Sequence, residues 1–195
     1  GYDAAATKEN LHFAITQWAA MNVKPGQPLT LYLMDHGVQD AFYLDGATGA
    51  IVNPTELDGW LRTFEEAVPN ATVNVILEAC FIGSFIERPN SISRANRVVI
   101  TSSDSNWSAY ASQAGAHFSD HFLTELQQGH DLFASFEVAR QRVNHLFEQQ
   151  NPWLDANGNG KPNEQDDFAI AKGRGFAYAG TLSAGNWPPY IAEAS

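Results

Sequence analysis

Two apolar runs, Leu29–Met34, interrupted only at Thr30, and Val73–Ala79, interrupted only at Asn74 and Glu78, are separated by segments whose apolar residues recur every three or four positions. Runs of that length read as strands covered on both faces, and the longer period reads as amphipathic helix. In chain order, Thr7 caps a helix that reaches about residue 20 on the stripe Leu11, Ala14, Ile15 and Trp18. Pro25-Gly26-Gln27-Pro28 breaks the chain before a strand at about 29–35. Residues 38–52 predict an irregular hairpin, with turn signals at Asp45-Gly46 and Gly49. Asn53-Pro54-Thr55-Glu56 then opens a helix, with Asn at the cap, Pro at the first position and Glu placed for a capping box. A strand at about 73–79 and a third at 97–102 follow, then helices carried by Phe118, Phe122 and Leu126 (closing at Gly129) and by Leu132, Phe136, Ala139, Val143 and Leu146. A short strand is predicted near Phe176–Ala179. Strands alternating with helices make this an α/β fold with a mainly parallel sheet.

Composition narrows the class. A chain of 195 residues with 44% hydrophobic content has the material for one domain and a sizeable core. A formal net charge of −11 argues against nucleic acid or an anionic membrane as partner, since both need basic patches. No apolar stretch approaches the ~18 residues of a membrane span. One cysteine forms no internal disulfide, so cysteine usage does not report an oxidising compartment.

That cysteine, Cys80, ends the second apolar run, and the first ends in Asp35-His36-Gly37. Open α/β sheets gather their sites at the carboxyl ends of strands. A thiol with a free pKa of ~8.5 needs a neighbouring imidazole to become an effective nucleophile or to protonate a leaving group. His36 can serve as that group. The N–H groups of Gly37 and Cys80 can stabilise an oxyanion, the missing Cβ of Gly37 allowing a carbonyl to approach the main chain. A lone strand-end cysteine is more often a small buried hydrophobe; it is the pairing with His-Gly at a second strand end that favours chemistry.

The strings LYLMDHG and VILEACFIGSF resemble the caspase-haemoglobinase clan of cysteine peptidases and, within it, a bacterial-type member of the legumain family. Asp35 before the histidine, Glu78 two before the cysteine, Gly83-Ser84 after it, and VVITSSDSNWSAYA as a substrate-lining strand carry the likeness, which runs from about Thr7 to Gln150. The resemblance implies a caspase-like three-layer α/β/α sandwich, a peptidase core over 1–150, and a peptide or protein substrate. It makes Cys80 the nucleophile, His36 the acid/base and Gly37 part of the oxyanion hole, with Asp35, Glu78, Ser102, Ser108 and Tyr110 toward the substrate. Glu78 has an alternative, an ion pair with Arg88, Arg94 or Arg97. The acid that asparagine-specific legumains carry before the helix after the third strand is replaced by Gln113-Ala114-Gly115-Ala116, so asparagine specificity does not follow. The family's first two strands have no room before residue 7; a fragment or processed chain, or strands supplied by another polypeptide or copy, would account for that. The isolated chain is accordingly expected to be marginal or to associate. A peptide ligase using the same thioester, and a non-catalytic scaffold with a vestigial dyad, are the rival readings.

Residues 151–195 form the remaining segment, packed on the same domain. Asp155, Asn157, Asn159, the Lys161 carbonyl, Asn163 and Asp166 follow the spacing of an EF-hand loop, with Gly160 at its sixth position. A structural Ca²⁺ is expected there, at modest affinity suited to an extracellular or periplasmic setting; no cofactor is expected for catalysis. His117 and His121, four apart, lack the glutamate of a zinc peptidase motif, Ser84 lacks a Gly-x-Ser-x-Gly elbow, and Gly173-Arg174-Gly175 is too short for a phosphate loop.

Overall fold

Thr7 opens the first helix as its position predicts, Oγ1 accepting the Asn10 N–H at 3.2 Å. The computed structural model describes residues 5–24, 26–45, 49–87 and 89–176. That helix runs as α1 (Lys8–Phe13), a π-helical segment (Ala14–Ala19) and α2 (Ala20–Asn22), two residues beyond the expected end. β1 (Pro28–Met34) follows, then a small antiparallel sheet of β2 (Gly37–Val38), β3 (Ala41–Asp45) and β4 (Ala50–Val52), where the irregular hairpin was expected. α3 (Pro54–Ala67) has the full capping box: Asn53 accepts from the Glu56 N–H and Glu56 accepts from the Asn53 N–H. β5 (Thr72–Glu78), β6 (Arg97–Thr101), α4 (His117–Gln127) and α5 (Leu132–Leu146) match the predicted elements to within a few residues.

The main sheet has the order β1-β5-β6-β7, the first three strands parallel. Its two faces carry separate cores. Ile15, Leu57, Leu61 and Phe64 from the first helix and α3 pack with Val73, Val75 and Leu77 on one face. Phe118, Phe122, Phe136 and Val143 from α4 and α5 pack with Ile76, Val98 and Ile100 on the other. Alternation along β5 and β6 sends successive side chains to opposite faces, and both are covered. The result is the three-layer sandwich.

Two features differ from the sequence expectation. β7 (Trp153–Asp155) pairs antiparallel with β6 and α6 (Gln165–Ala171) follows it, in a segment that reads only as polar loop. Asp155 therefore ends a strand of the main sheet, and residues 151–176 are continuous with the core. β1 is an edge strand: it pairs with β5, has no second neighbour among the described residues, and leaves Met34 44% exposed, so it is not covered as a central strand would be. Most of the predicted 176–179 strand lies outside the described residues.

The largest fully buried side chain among the described residues is an arginine. Arg97 donates through Nε and Nη2 to Glu65 at 2.7 and 2.8 Å, and through Nη1 to Asp58 at 2.8 Å and the Ile92 carbonyl at 2.7 Å. Arg94 takes the other side of Asp58. Neither arginine pairs with Glu78; Arg88 lies outside the described residues.

Candidate active site

β1 and β5 run in parallel register to Met34 opposite Glu78, and the Asp35 N–H still reaches the Glu78 carbonyl at 3.2 Å. His36 and Cys80 each lie two residues past that last pair, on strands whose axes are about 4.8 Å apart. The register alone brings the two to one end of the sheet. Gly37 makes the contact close: a Cβ there would lie 2.6 Å from the Cys80 carbonyl and 2.9 Å from the Ala79 Cβ. Only glycine lets the His-Gly segment lie against the backbone of the cysteine. Gly37→Ala must push these chains apart, and an ångström of misplacement at reacting groups costs about 100-fold. We expect kcat/KM to fall by about that factor; a variant with turnover within threefold of the parent would refute the close packing.

Cys80 is partly exposed and His36 exposed, while Gly37 is buried. The Cys80 Sγ donates to the Ala109 carbonyl at 3.6 Å. Phe81, the next residue, adopts the left-handed conformation (φ 57°, ψ 16°) and turns the strand sharply into a 3₁₀ helix, Ile82–Phe85. A bulky residue held there is strained, and such strain collects at functional sites. The Phe81 N–H donates to the Trp107 carbonyl at 3.0 Å, which helps hold the turn. Gly83 is needed beside it, since a Cβ would meet the Asp104–Ser105 peptide at 2.6 Å.

The other expected site residues separate into two groups. Tyr110 and Ser108 lie on the segment facing Cys80; Tyr110 is 39% exposed and its ring stacks on Phe147 at 4.2 Å. Asp35 is half-buried and accepts the His36 N–H through Oδ1 at 2.6 Å. Ser102, by contrast, is fully buried: its hydroxyl meets the Ala79 N–H at 3.2 Å, and Ser103 donates to the Ala79 carbonyl at 2.9 Å. Ser102 supports the peptide before the cysteine and does not line a surface. Glu78 is likewise buried, 2% exposed, with Oε2 accepting from the Ser119 N–H (3.0 Å) and hydroxyl (2.6 Å) at the start of α4. The Tyr32 hydroxyl donates in turn to Ser119.

Burial pushes the Glu78 carboxyl above its ordinary range, against the lowering effects of the nearby Ser102 hydroxyl and the Ser119 hydrogen bonds, and Oε1 has no hydrogen-bond partner among the described residues. The folded state favours protonated Glu78, so this residue's contribution is best at low pH and is lost as pH rises from the free value of about 4.3 toward the raised folded value. Glu78→Gln keeps the acceptor and removes the charge. At neutral pH it should raise the melting temperature by a few degrees, with no gain below pH about 4; an equal shift at both pH values would contradict the buried-charge account.

Gln150 is a site residue that the sequence reading missed. It is 1% exposed, donates to the Ser102 carbonyl at 2.9 Å and accepts the Tyr110 N–H at 3.2 Å, tying the end of β6 to the segment beside Cys80. In the polar run Glu148-Gln149-Gln150-Asn151 nothing marks it; only its burial does.

The loop after β7 is closed by its own side chains. Asp155, fully buried, accepts the Gly158 and Gly160 N–H groups at 2.8 and 2.6 Å. Asn157 and Asn159 each donate to Glu164 Oε2, at 3.1 and 2.6 Å. Asp166, expected as the twelfth-position ligand, is exposed on the first turn of α6, while buried Asp167 accepts the Ala156, Asn157 and Glu164 N–H groups. Asn163, expected at the ninth, is bonded back to Leu154 and Pro152. The donors suit a hard cation in type; in placement, Glu164 and not Asp166 converges on the two asparagines. Burial, followed by the charge of Asp167 among the effects in the same direction, raises the Asp155 carboxyl above its usual range despite the Gly158 N–H.

A layered sheet with a partly exposed thiol at one strand end and His-Gly at the next defines a caspase-type cysteine-peptidase fold. Caspase-1 from Spodoptera frugiperda has a similar fold, at a TM-score of 0.60 and 16% identity over 77% of this chain and 68% of that one. The chain belongs to the peptidase C13 family, the legumain family of the caspase-haemoglobinase clan, whose model matches residues 7–157. No functionally curated protein matches it. Among the described residues, no helix is long and apolar enough to cross a membrane.

Proposed function

We propose that this chain is a cysteine endopeptidase acting through an acyl-thioester on Cys80. The Cys80 sulfur attacks the scissile carbonyl carbon, and the C–S bond forms as the π pair moves to oxygen. The N–H groups of Gly37 and Cys80 receive that charge. Collapse restores the carbonyl and breaks the C–N bond, the leaving nitrogen taking a proton from the His36 imidazolium, which holds the proton given up by the thiol. Water then attacks the thioester and yields its proton to His36. The C–S bond breaks, the sulfur leaves with the electron pair, and the proton returns to it. The observation that supports this reading is the β1–β5 register, which brings His36-Gly37 against the backbone of Cys80. A peptide-library digest read by mass spectrometry tests it: new carboxyl termini support hydrolysis, products joined to an added amine support ligation, and no product from any peptide removes both.

A calcium ion at the loop after β7 is a second, structural proposal, with Asp155, Asn157, Asn159, the Lys161 carbonyl and Glu164 as ligands. The Gly158 and Gly160 N–H groups wrap the loop round the buried Asp155 carboxylate, with the Asn157, Asn159 and Glu164 side chains gathered beside one another, and this supports it. Chelation should lower the melting temperature by several degrees, because an ion that binds only the folded state stabilises it by mass action, and Glu164→Gln should erase the difference. An unchanged melting curve on chelation removes the ion from the account.

A further inference from the structure

We propose that the cleft between the Asp104–Trp107 loop and the C-terminal end of α5 is a subsite for a basic side chain of the peptide substrate. This assignment rests on the peptidase reading. The cleft has a volume of about 480 Å³ and is lined by Asp104, Trp107, Asn144, Glu148, Gln149 and Asn151. Two of these residues are acids, three are amides, one is an indole, and none is a cation.

The acids are available. Asp104 is only 7% exposed, and Oδ1 is committed to the Asn106 and Trp107 N–H groups at 2.8 and 3.0 Å, while Oδ2 has no partner among the described residues. Glu148 is exposed and forms no ion pair among them. Trp107 is 44% exposed in the same cleft. A carboxylate beside an accessible indole face is the environment that holds an ammonium or guanidinium, by charge and by cation–π attraction together. A neutral side chain would leave the carboxylates without that gain, and an acidic one would meet repulsion.

The cleft is within reach of the reacting bond. The Trp107 carbonyl accepts the N–H of Phe81, next to the nucleophile, and Ala109, two residues on, accepts from the Cys80 Sγ. Two extended residues span about 7 Å. A side chain one to three positions from the scissile bond can therefore enter the cleft while the bond lies over Cys80.

The test scans lysine, norleucine and glutamate through three positions on each side of the cleaved bond in otherwise identical peptides. Cleavage by the wild type is measured as kcat/KM. Binding to Cys80→Ala is measured by fluorescence anisotropy of the labelled peptides. At one position lysine should exceed norleucine by about tenfold in both assays, the size of a partly desolvated cation–π and charge contact. The preference should shrink with added salt and shrink again in Glu148→Gln, which leaves Asp104 as the one carboxylate of the cleft. Cleavage of all the peptides with equal efficiency overturns the subsite and leaves the peptidase reading standing. Absence of cleavage, with the lysine preference in binding intact and sensitive to Glu148→Gln, overturns the peptidase reading and leaves a basic-peptide site. Absence of any lysine preference in binding overturns the subsite whatever the turnover.

Discussion

Cys80→Ala is expected to lower kcat/KM for peptide hydrolysis by at least about 10⁴-fold, as removal of a nucleophile does elsewhere, while leaving the melting temperature within about 2 °C of the parent. The two halves have separate causes. No other cysteine exists in the chain to replace the thiol. The one hydrogen bond of the Sγ among the described residues, to the Ala109 carbonyl, is long at 3.6 Å and partly exposed, so little stability is lost with it. Steady-state kinetics with calorimetry on the same preparation check both. Activity within a few-fold of the parent would remove Cys80 from the chemistry, and a collapsed melting transition would make it a packing residue.

Arg97→Met should be the most damaging single change to stability, at about 3–5 kcal/mol, the usual cost of leaving buried charges without their partner. Methionine fills much of the volume but abandons Glu65 altogether and leaves Asp58 only Arg94 and the exposed Arg62. Burial pushes the Asp58 carboxyl up, but its bonds to Arg94 and Arg97 outweigh that and hold it below the ordinary range. Its contribution is thus present above pH about 3.9 and lost as pH falls through the depressed folded value. In Arg97→Met that acid-side loss should become shallower. Denaturant titrations from pH 2 to 7 would show it, and a variant as stable as the parent at pH 7 would contradict the buried-cluster account.

The parts of the fold that were readable in advance are those in which local chemistry and burial agree. The capping box at Asn53 and the apolar run of β5 specify their elements whatever surrounds them. β7 was not readable because three residues carry it and its order comes from pairing with β6 and from Asn163 bonding back to its backbone. The placement of Cys80 beside His36-Gly37 was legible because parallel strands of an α/β sheet finish at one end of it, and the motifs marked which two strands to compare. The supports around them were not. Gln150 lies forty residues from Tyr110, and no periodicity predicts that its amide closes on that segment. Ser102 and Glu78 have side chains suited to a pocket wall, yet the sheet turns both inward, one to the Ala79 peptide and the other to the start of α4. The loop after β7 shows the same limit: spacing selected Asp166, and the first turn of α6 carries that residue away from the loop, while Glu164 reaches back to Asn157 and Asn159.

The central claim is that Cys80 is a nucleophile assisted by His36. Its most direct test is the intact mass of the protein after exposure to a peptidyl electrophile that reacts with activated thiols, timed against a free cysteine peptide. The account predicts a single adduct on Cys80, formed at least about 100-fold faster than on the free thiol and slowed by a similar factor in His36→Ala, consistent with the contribution of a positioned acid/base. Labelling at the free-thiol rate, or at the same rate in His36→Ala, would contradict it.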